Sequence, residues 1–212
     1  YGTGISGISA VSLLESVRAR VILYDENTKL AKEQVRKKLA KDSNAKIILG
    51  VLSEEIIQTL DMVILSPGVP TDIPLVEEFY KRNIPVWGEI ELAYQLSKGS
   101  VVAITGTNGK TTTTTLVGKL MKNYFDSVFV VGNIGNPYTE AAKEMTEETV
   151  TVAEISSFQL ETIEKFHPKV SAILNITPDH LNRHHTMECY IETKEKIASL
   201  AYIKEELAKE NK

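Results

Sequence analysis

The sequence predicts an α/β fold built on parallel β-sheet, and two observations lead to that prediction. Short runs rich in β-branched residues alternate with stretches whose apolar residues recur at helical spacing, as in βαβ units. In addition, two glycine-rich segments, residues 2–7 and 106–109, each lead directly into a helical pattern. The predicted strands are Arg20–Tyr24, Met62–Leu65, Val101–Thr105, Val128–Val131, Val150–Ile155 and Val170–Ile176.

Length and composition narrow the class of protein. A chain of 212 residues exceeds the usual size of one domain, so one large or two modest domains are expected. The net charge of -4 and the pI of about 5.7 argue against nucleic acid or an anionic membrane as a partner. The single cysteine, Cys189, excludes an internal disulfide framework and fits a reducing cytoplasm. We therefore expect a cytoplasmic protein without a membrane span, acting as a monomer.

The polar segment Ser97-Lys98-Gly99-Ser100 is the predicted boundary between a first domain, residues 1–97, and a second domain, residues 98–200. The remaining residues, 201–212, are charged and helix-forming, and we interpret them as a solvated helical tail. The chain starts at Tyr1, directly before a glycine cluster, so we expect the first strand of the first domain to be missing.

The first glycine segment, Gly2-Thr3-Gly4-Ile5-Ser6-Gly7, matches the pattern G-x-G-x-x-G and is followed by an apolar helix. Asp25 closes the next strand, where a dinucleotide-binding fold places its ribose-binding acid. This predicts a Rossmann-like first domain. Its ligand stays open between NAD, another nucleotide diphosphate, and no ligand at all, the glycines then serving only the turn. The segment Ser66-Pro67-Gly68-Val69-Pro70 is either an ordinary turn or a rim of the same crevice.

The second glycine segment predicts a phosphate loop. Gly106, Thr107, Asn108 and Gly109 lie between a strand and a helix and can direct backbone N–H groups at phosphate. Lys110 then reaches the outer phosphates, and Thr111 offers a hydroxyl to magnesium. The usual pattern would place its first glycine at position 104, where Ile104 stands instead. The second domain is thus predicted to be a P-loop, mononucleotide-binding α/β ATPase domain, against the alternative of a glycine turn with an exposed lysine.

Two further strands end in candidate magnesium ligands. Glu154 lies near the carboxyl end of Val150–Ile155, and His180 follows Val170–Ile176. The carboxyl ends of parallel strands share one edge of the sheet with the phosphate loop, so both side chains can converge on a metal there. A glutamate inside an apolar strand is costly to bury unpaired, which favours a functional role. For His180 a satisfied loop histidine is an equal alternative.

Lys194 interrupts an apolar helical stripe. The stripe consists of Tyr190, Ile191, Lys194, Ile197, Ala198 and Ala201, which share one helix face. Snorkelling of the amine to solvent is one interpretation. The other is that the amine is required inside, beside the metal.

These motifs resemble those of the Mur ligases, the ATP-dependent enzymes that build the peptidoglycan stem peptide. The resemblance rests on Gly106-Thr107-Asn108-Gly109-Lys110-Thr111, Glu154 in EISSFQLE, and Asp179-His180 in NITPDHLNRH. That family uses a shortened phosphate loop without the first glycine. With SPGVP in the first half, the chain is most similar to the branch that adds D-glutamate to UDP-N-acetylmuramoyl-L-alanine. The resemblance extends from Tyr1 to about Leu200.

The resemblance implies a role for each matching residue. The first domain would bind the uridine diphosphate of the sugar substrate instead of NAD. The implied substrate-binding residues are Gly4, Ile5, Ser6, Gly7, Asp25, Ser66, Pro67, Gly68, Ser156 and Phe158. The implied ATP-binding residues are Gly106, Thr107, Asn108, Gly109, Lys110, Thr111, Thr112 and Asn133. The implied catalytic residues are Lys110, Glu154, His180 and Lys194. The implied Mg²⁺ ligands are Thr111, Glu154, His180 and Lys194, the last as a carbamate formed with carbon dioxide.

The implied reaction is ATP-dependent amide formation through an acyl phosphate. The sequence departs from the family pattern in two respects. Asn182 replaces an aspartate and His185 lies near an expected glycine, and the remaining central strands and the C-terminal domain, which holds most of the D-glutamate site, are absent. Two alternatives stay open: another ligase of the superfamily, such as a folylpolyglutamate synthetase, and an inactive nucleotide-binding fragment.

Overall fold

The computed structural model describes residues 1–198 and confirms an α/β fold with parallel sheets. The strands are β1 (Ile22–Asp25), β2 (Lys46–Leu49), β3 (Val63–Leu65), β4 (Val86–Gly88), β5 (Ser100–Thr105), β6 (Val128–Gly132), β7 (Val150–Glu154) and β8 (Val170–Ile173). The helices are α1 (Ile5–Ser16), α2 (Lys32–Lys38), α3 (Glu54–Ile57), α4 (Pro74–Lys81), α5 (Glu89–Leu96), α6 (Lys110–Met121), α7 (Tyr138–Ala141), α8 (Ser157–Leu160), α9 (Leu181–His184) and α10 (Met187–Glu195). The interpreted tail, residues 201–212, lies outside the described residues, as do 199 and 200.

Two strands are absent from the sequence-based prediction. They are β2 and β4, of four and three residues, which are as short as the predicted strands β1 and β3. The prediction that a strand runs to Ile176 was wrong, because β8 ends at Ile173. Beyond it, the carbonyl of Asn175 accepts a hydrogen bond from the Thr107 backbone N–H at 3.0 Å. The segment after β8 is therefore hydrogen-bonded to the glycine segment that follows β5.

The first half contains two pairs of parallel strands, β1 with β2 and β3 with β4. The first two residues lie between the pairs. The Gly2 backbone N–H donates to the Tyr24 carbonyl at 2.8 Å, and the Ser66 backbone N–H donates to the Tyr1 carbonyl at 2.9 Å. A cavity of about 710 Å³ continues from there between the facing edges of β1 and β3. Its walls include Leu23, Val63 and Phe79.

The second half contains a four-stranded parallel sheet in the order β6-β7-β5-β8. In its register, Glu154 at the end of β7 pairs with Ile104 of β5 on one side and with Gly132 of β6 on the other. The carboxyl ends of these three strands are therefore level. Consequently the segment after β5, the Glu154 side chain and the turn after β6 share one edge of the sheet.

The largest apolar core joins the two halves. Leu13 of α1 and Ile90 of α5 pack in one cluster with Ala153 of β7 and Tyr138 of α7. The Tyr138 hydroxyl also lies 2.8 Å from Ser97 Oγ. A shared core thus crosses the polar segment at 97–100, and the domain boundary placed there stays a prediction. None of the helices within residues 1–198 has the length and apolarity needed to cross a membrane.

Candidate active site

The glycine segment after β5 is held in its conformation by the chain that follows β8. Asn175 Oδ1 accepts from the Asn108 backbone N–H at 2.9 Å, and Asn175 Nδ2 donates to the Asn108 carbonyl at 3.0 Å. Gly109 has a φ of 83° and forms the left-handed N-cap of α6, a conformation that favours glycine. The N-terminus of a twelve-residue helix with its partial positive charge thus follows a glycine turn, an arrangement suited to binding phosphate.

Lys110 folds back over this turn. Its Nζ donates to the carbonyls of Gly106 and Thr107, each at 2.9 Å. Thr111 and Thr112, in the first turn of α6, are exposed. A positive charge and two exposed hydroxyls therefore lie at the glycine turn, and the roles of Lys110 and Thr111 toward phosphate and magnesium stay predictions.

Glu154 is buried and only half satisfied. Its Oε1 accepts from Asn133 Nδ2 at 2.9 Å, while the buried Oε2 has no hydrogen-bond partner within residues 1–198. An unpaired carboxylate oxygen is costly to bury, and a cation would remove that cost. No cluster of three or more histidine, cysteine or acidic side chains suited to a metal exists in the described part of the chain. Mg²⁺ fits such a site, since it takes one or two carboxylates together with substrate phosphates and waters.

His180 lies on a strained turn at the same edge. Its φ is 52°, and its backbone N–H donates to Asp179 Oδ1 at 2.8 Å. The imidazole is half-exposed and packs against the Phe158 ring, with ring centroids 4.9 Å apart. Among the hydrogen bonds of residues 1–198, none joins His180 to Glu154. The structure therefore places His180 beside Phe158, with its Nε2 3.4 Å from Asp179 Oδ2.

Lys194 has only 1% of its surface exposed, so its amine does not snorkel to solvent. Its Nζ lies 3.0 Å from the Gly106 carbonyl and 4.7 Å from the centre of the Tyr190 ring. Burial and the nearby charge of Lys110 lower the pKa of the Lys194 amine to about 8. The structure thus brings a readily deprotonated amine to the back of the glycine turn.

In the first half, three segments converge around the other glycine loop. Asp25 Oδ2 accepts from both the backbone N–H and the hydroxyl of Thr3, at 3.0 and 2.8 Å. Ser66 comes so close that a Cβ added at Gly2 would lie 2.7 Å from its Oγ. That Oγ is buried and has no hydrogen-bond partner within the described residues. The loop at 2–7, Asp25 and the Ser66 turn therefore form one site.

Three residues at the junction of the halves were not singled out from the sequence. Arg183 forms an ion pair with Glu161 through Nη2 and Oε2, 2.6 Å apart, and Nη2 also donates to the Val69 carbonyl at 2.9 Å. The His184 imidazole is buried, with Nε2 2.9 Å from Ser157 Oγ, and burial lowers its pKa. All three lie within the motifs NITPDHLNRH and EISSFQLE, and this position in the motifs could have identified them from the sequence.

Parallel sheets, a glycine turn before a helix and a half-satisfied buried glutamate characterise an α/β protein whose sheet edge is suited to binding phosphate. Comparison with protein families gives two matches: the Mur ligase MurD-like N-terminal domain over residues 1–88, and the Mur ligase middle domain over residues 104–206. The chain belongs to the Mur ligase family.

The chain is 63% identical to the UDP-N-acetylmuramoylalanine–D-glutamate ligase of Lachnoclostridium phytofermentans over 92% of its own length, and 60% identical to that of Lachnospira eligens over 93%. It spans 43% and 44% of the length of these relatives. A solved UDP-N-acetylmuramate:L-alanyl-gamma-D-glutamyl-meso-diaminopimelate ligase from Neisseria meningitides is similar at a TM-score of 0.54 and 12% identity. The alignment covers 93% of this chain and 64% of that one, and the likeness concerns the fold alone.

Proposed function

We propose that this chain is the substrate- and ATP-binding part of a ligase that adds D-glutamate to UDP-N-acetylmuramoyl-L-alanine in the cytoplasm. The observation that carries the proposal is the unpaired Glu154 oxygen at the same sheet edge as the Lys110 turn. The names and the identities of the two bacterial relatives support the choice of substrates. The enzyme acts as a monomer.

We further propose a Rossmann-like first domain, residues 1–97, and a P-loop domain, residues 98–200. The backbone bonds of Tyr1 and Gly2 between β1 and β3 support the first assignment, because they join the two strand pairs in the manner of a parallel ladder. A further strand in the cavity between β1 and β3 would complete one continuous sheet. Since the chain spans 43% of its relative, the D-glutamate site would lie largely outside it.

In the proposed reaction the L-alanyl carboxylate attacks the γ-phosphorus of ATP, ADP leaves, and an acyl phosphate forms. The amine of D-glutamate then attacks the acyl carbon, phosphate leaves, and the amine loses a proton. Lys110 and the backbone N–H groups of the turn hold the phosphate oxygens in line. Thr111, Glu154, His180 and the carbamate of Lys194 would hold Mg²⁺, which neutralises charge on the transferring phosphoryl group. Asn133 keeps the Glu154 carboxylate oriented.

Turnover of the full-length reading frame tests this proposal. We expect phosphate release from ATP only when UDP-N-acetylmuramoyl-L-alanine and D-glutamate are both present. Release with a folate and L-glutamate instead would identify a folylpolyglutamate synthetase. A folded protein that binds ATP without turnover in either mixture would identify a nucleotide-binding module and contradict the proposal.

The glycine loop of the first half is predicted to bind a uridine nucleotide in preference to NAD. Calorimetric titration of the chain should give at least about a tenfold lower Kd for UDP-N-acetylmuramoyl-L-alanine than for NAD. Ser66→Ala should weaken the uridine nucleotide alone, because the unpaired Oγ lies at that loop, and should leave the affinity for ADP unchanged. Tighter binding of NAD would reverse the assignment.

A further inference from the structure

Glu89 is a buried carboxylate that neither proposed site uses. It is the first residue of α5 and only 2% exposed. Its Oε1 accepts from the backbone N–H of Thr139 at 2.8 Å and from the Thr139 hydroxyl at 3.1 Å. Glu89 therefore holds the N-terminal end of α7, a helix that lies on the other side of the predicted domain boundary.

The segment directly before α7 is the turn that presents Asn133 to Glu154. The turn is closed by its own backbone, with the Gly132 N–H donating to the Asn136 carbonyl at 2.7 Å. Asn133 Nδ2 donates to Glu154 Oε1 at one end of the turn, and Thr139 is bound by Glu89 just beyond the other. The Asn133 backbone N–H also donates to the Glu154 carbonyl at 2.9 Å, so Asn133 is held directly by β7 on one side and, through the turn, by α7 on the other.

The same contact continues into the helix of the first glycine loop. Ser9 of α1 places its Oγ 2.8 Å from the Thr139 hydroxyl, and this hydrogen bond is buried. Since α1 starts at Ile5, one turn before Ser9, it carries the loop of residues 2–7. One hydroxyl, that of Thr139, thus lies between the helix of the first site and the carboxylate of Glu89.

We propose that Glu89 is a positioning residue. Through Thr139 it holds the Asn133 turn against Glu154 and fixes the position of that turn relative to α1. The consequence for Mg²⁺ and ATP rests on the proposed function, whereas the hold on the turn itself does not. Glu89 does not touch the reacting groups. Its Oε1 acts on them through Thr139 and Asn133, and its Oε2 accepts a longer hydrogen bond, at 3.5 Å, from Gln159 Nε2.

Glu91 supplies a matched control on the same helix. It is likewise fully buried, and its carboxylate accepts the backbone N–H groups of Glu164, Lys165 and Phe166 at 2.9 to 3.1 Å. The turn that it holds carries none of the proposed ligands. Glu89→Gln and Glu91→Gln therefore each replace a buried carboxyl group of the same helix by an amide, but they release different turns.

The test is amide hydrogen exchange on the 212-residue chain. In Glu89→Gln we expect exchange at residues 132–139 to accelerate by about tenfold or more, because a buried carboxyl oxygen that accepts from Thr139 is replaced by an amide. In Glu91→Gln the acceleration should be confined to residues 164–166. Thr139→Val, which removes only the hydroxyl, is the second variant and decides the question if Glu89→Gln does not fold. Unchanged exchange at 132–139, or the same general acceleration in both glutamine variants, would overturn the proposal.

Calorimetric titration with Mg²⁺ and ADP tests whether Glu89 affects binding at the proposed ATP site. Glu89→Gln should weaken this binding at least about threefold relative to Glu91→Gln, which corresponds to a fraction of one hydrogen bond. If the unmodified chain does not bind Mg²⁺ and ADP, the proposed function fails, and the exchange comparison still decides the role of Glu89. If both glutamine variants bind equally well, the effect of Glu89 on the metal site is refuted.

Discussion

Lys110→Ala is expected to lower the turnover of the full-length protein by about 100-fold or more, the effect of losing one positioned charge on a transition state. The fold should survive, because the hydrogen bonds of the Lys110 Nζ within residues 1–198 go to the carbonyls of Gly106 and Thr107, which lie in the same turn. Steady-state phosphate release measures the rate. The melting temperature of the chain should stay within about 2 °C of its original value.

Lys119→Ala is the matched control for that experiment. Lys119 lies in the last turn of the same helix, α6, and is exposed. Its removal takes away the same charge at the far end of the helix and should leave turnover nearly unchanged. A well-folded Lys110→Ala protein with near-normal turnover would contradict the phosphate-loop assignment.

Lys194→Ala is expected to abolish activity for a different reason, the loss of a carbamate. Attack on carbon dioxide requires an uncharged amine, and burial lowers the pKa of Lys194 to about 8. The uncharged fraction therefore rises as the pH increases from 7 through 8, and with it the rate of carbamate formation. The product would be an anionic oxygen ligand of the kind that Mg²⁺ prefers. A persistent ammonium would instead repel the metal.

Chemical rescue distinguishes a carbamate from simple packing. Small carboxylic acids should partly restore the activity of Lys194→Ala, since a carboxylate can occupy the space of the missing carbamate. Lys196→Ala, which alters an exposed lysine two residues further on, should be nearly normal and unaffected by added acids. Full activity of Lys194→Ala in carbon-dioxide-free buffer would refute the carbamate, although the family assignment would stand on its other motifs.

Several features of the site follow from the sequence because their signals are local. A glycine turn before a helix is written in consecutive residues, so the segment at 106–111 is predictable without tertiary information. Helical periodicity places Lys194 on one face with Tyr190 and Ile197, both buried, but only the structure decided that the amine is buried as well instead of reaching solvent. The place of Glu154 at one sheet edge was also predictable, because a residue at the carboxyl end of a parallel strand lies at the edge where all such ends meet.

Only the tertiary structure decided which distant residues complete the site. Glu89 and its partner Thr139 are 50 residues apart in the sequence, and Arg183 and its partner Val69 are 114 apart. No local sequence pattern therefore encodes either contact. Glu89 and Glu91 were not singled out from the sequence, and packing against α7 and the 164–166 turn buries both at the start of α5. Strands β2 and β4 also had to be found in the tertiary structure, where β1 and β3 supply their hydrogen-bond partners.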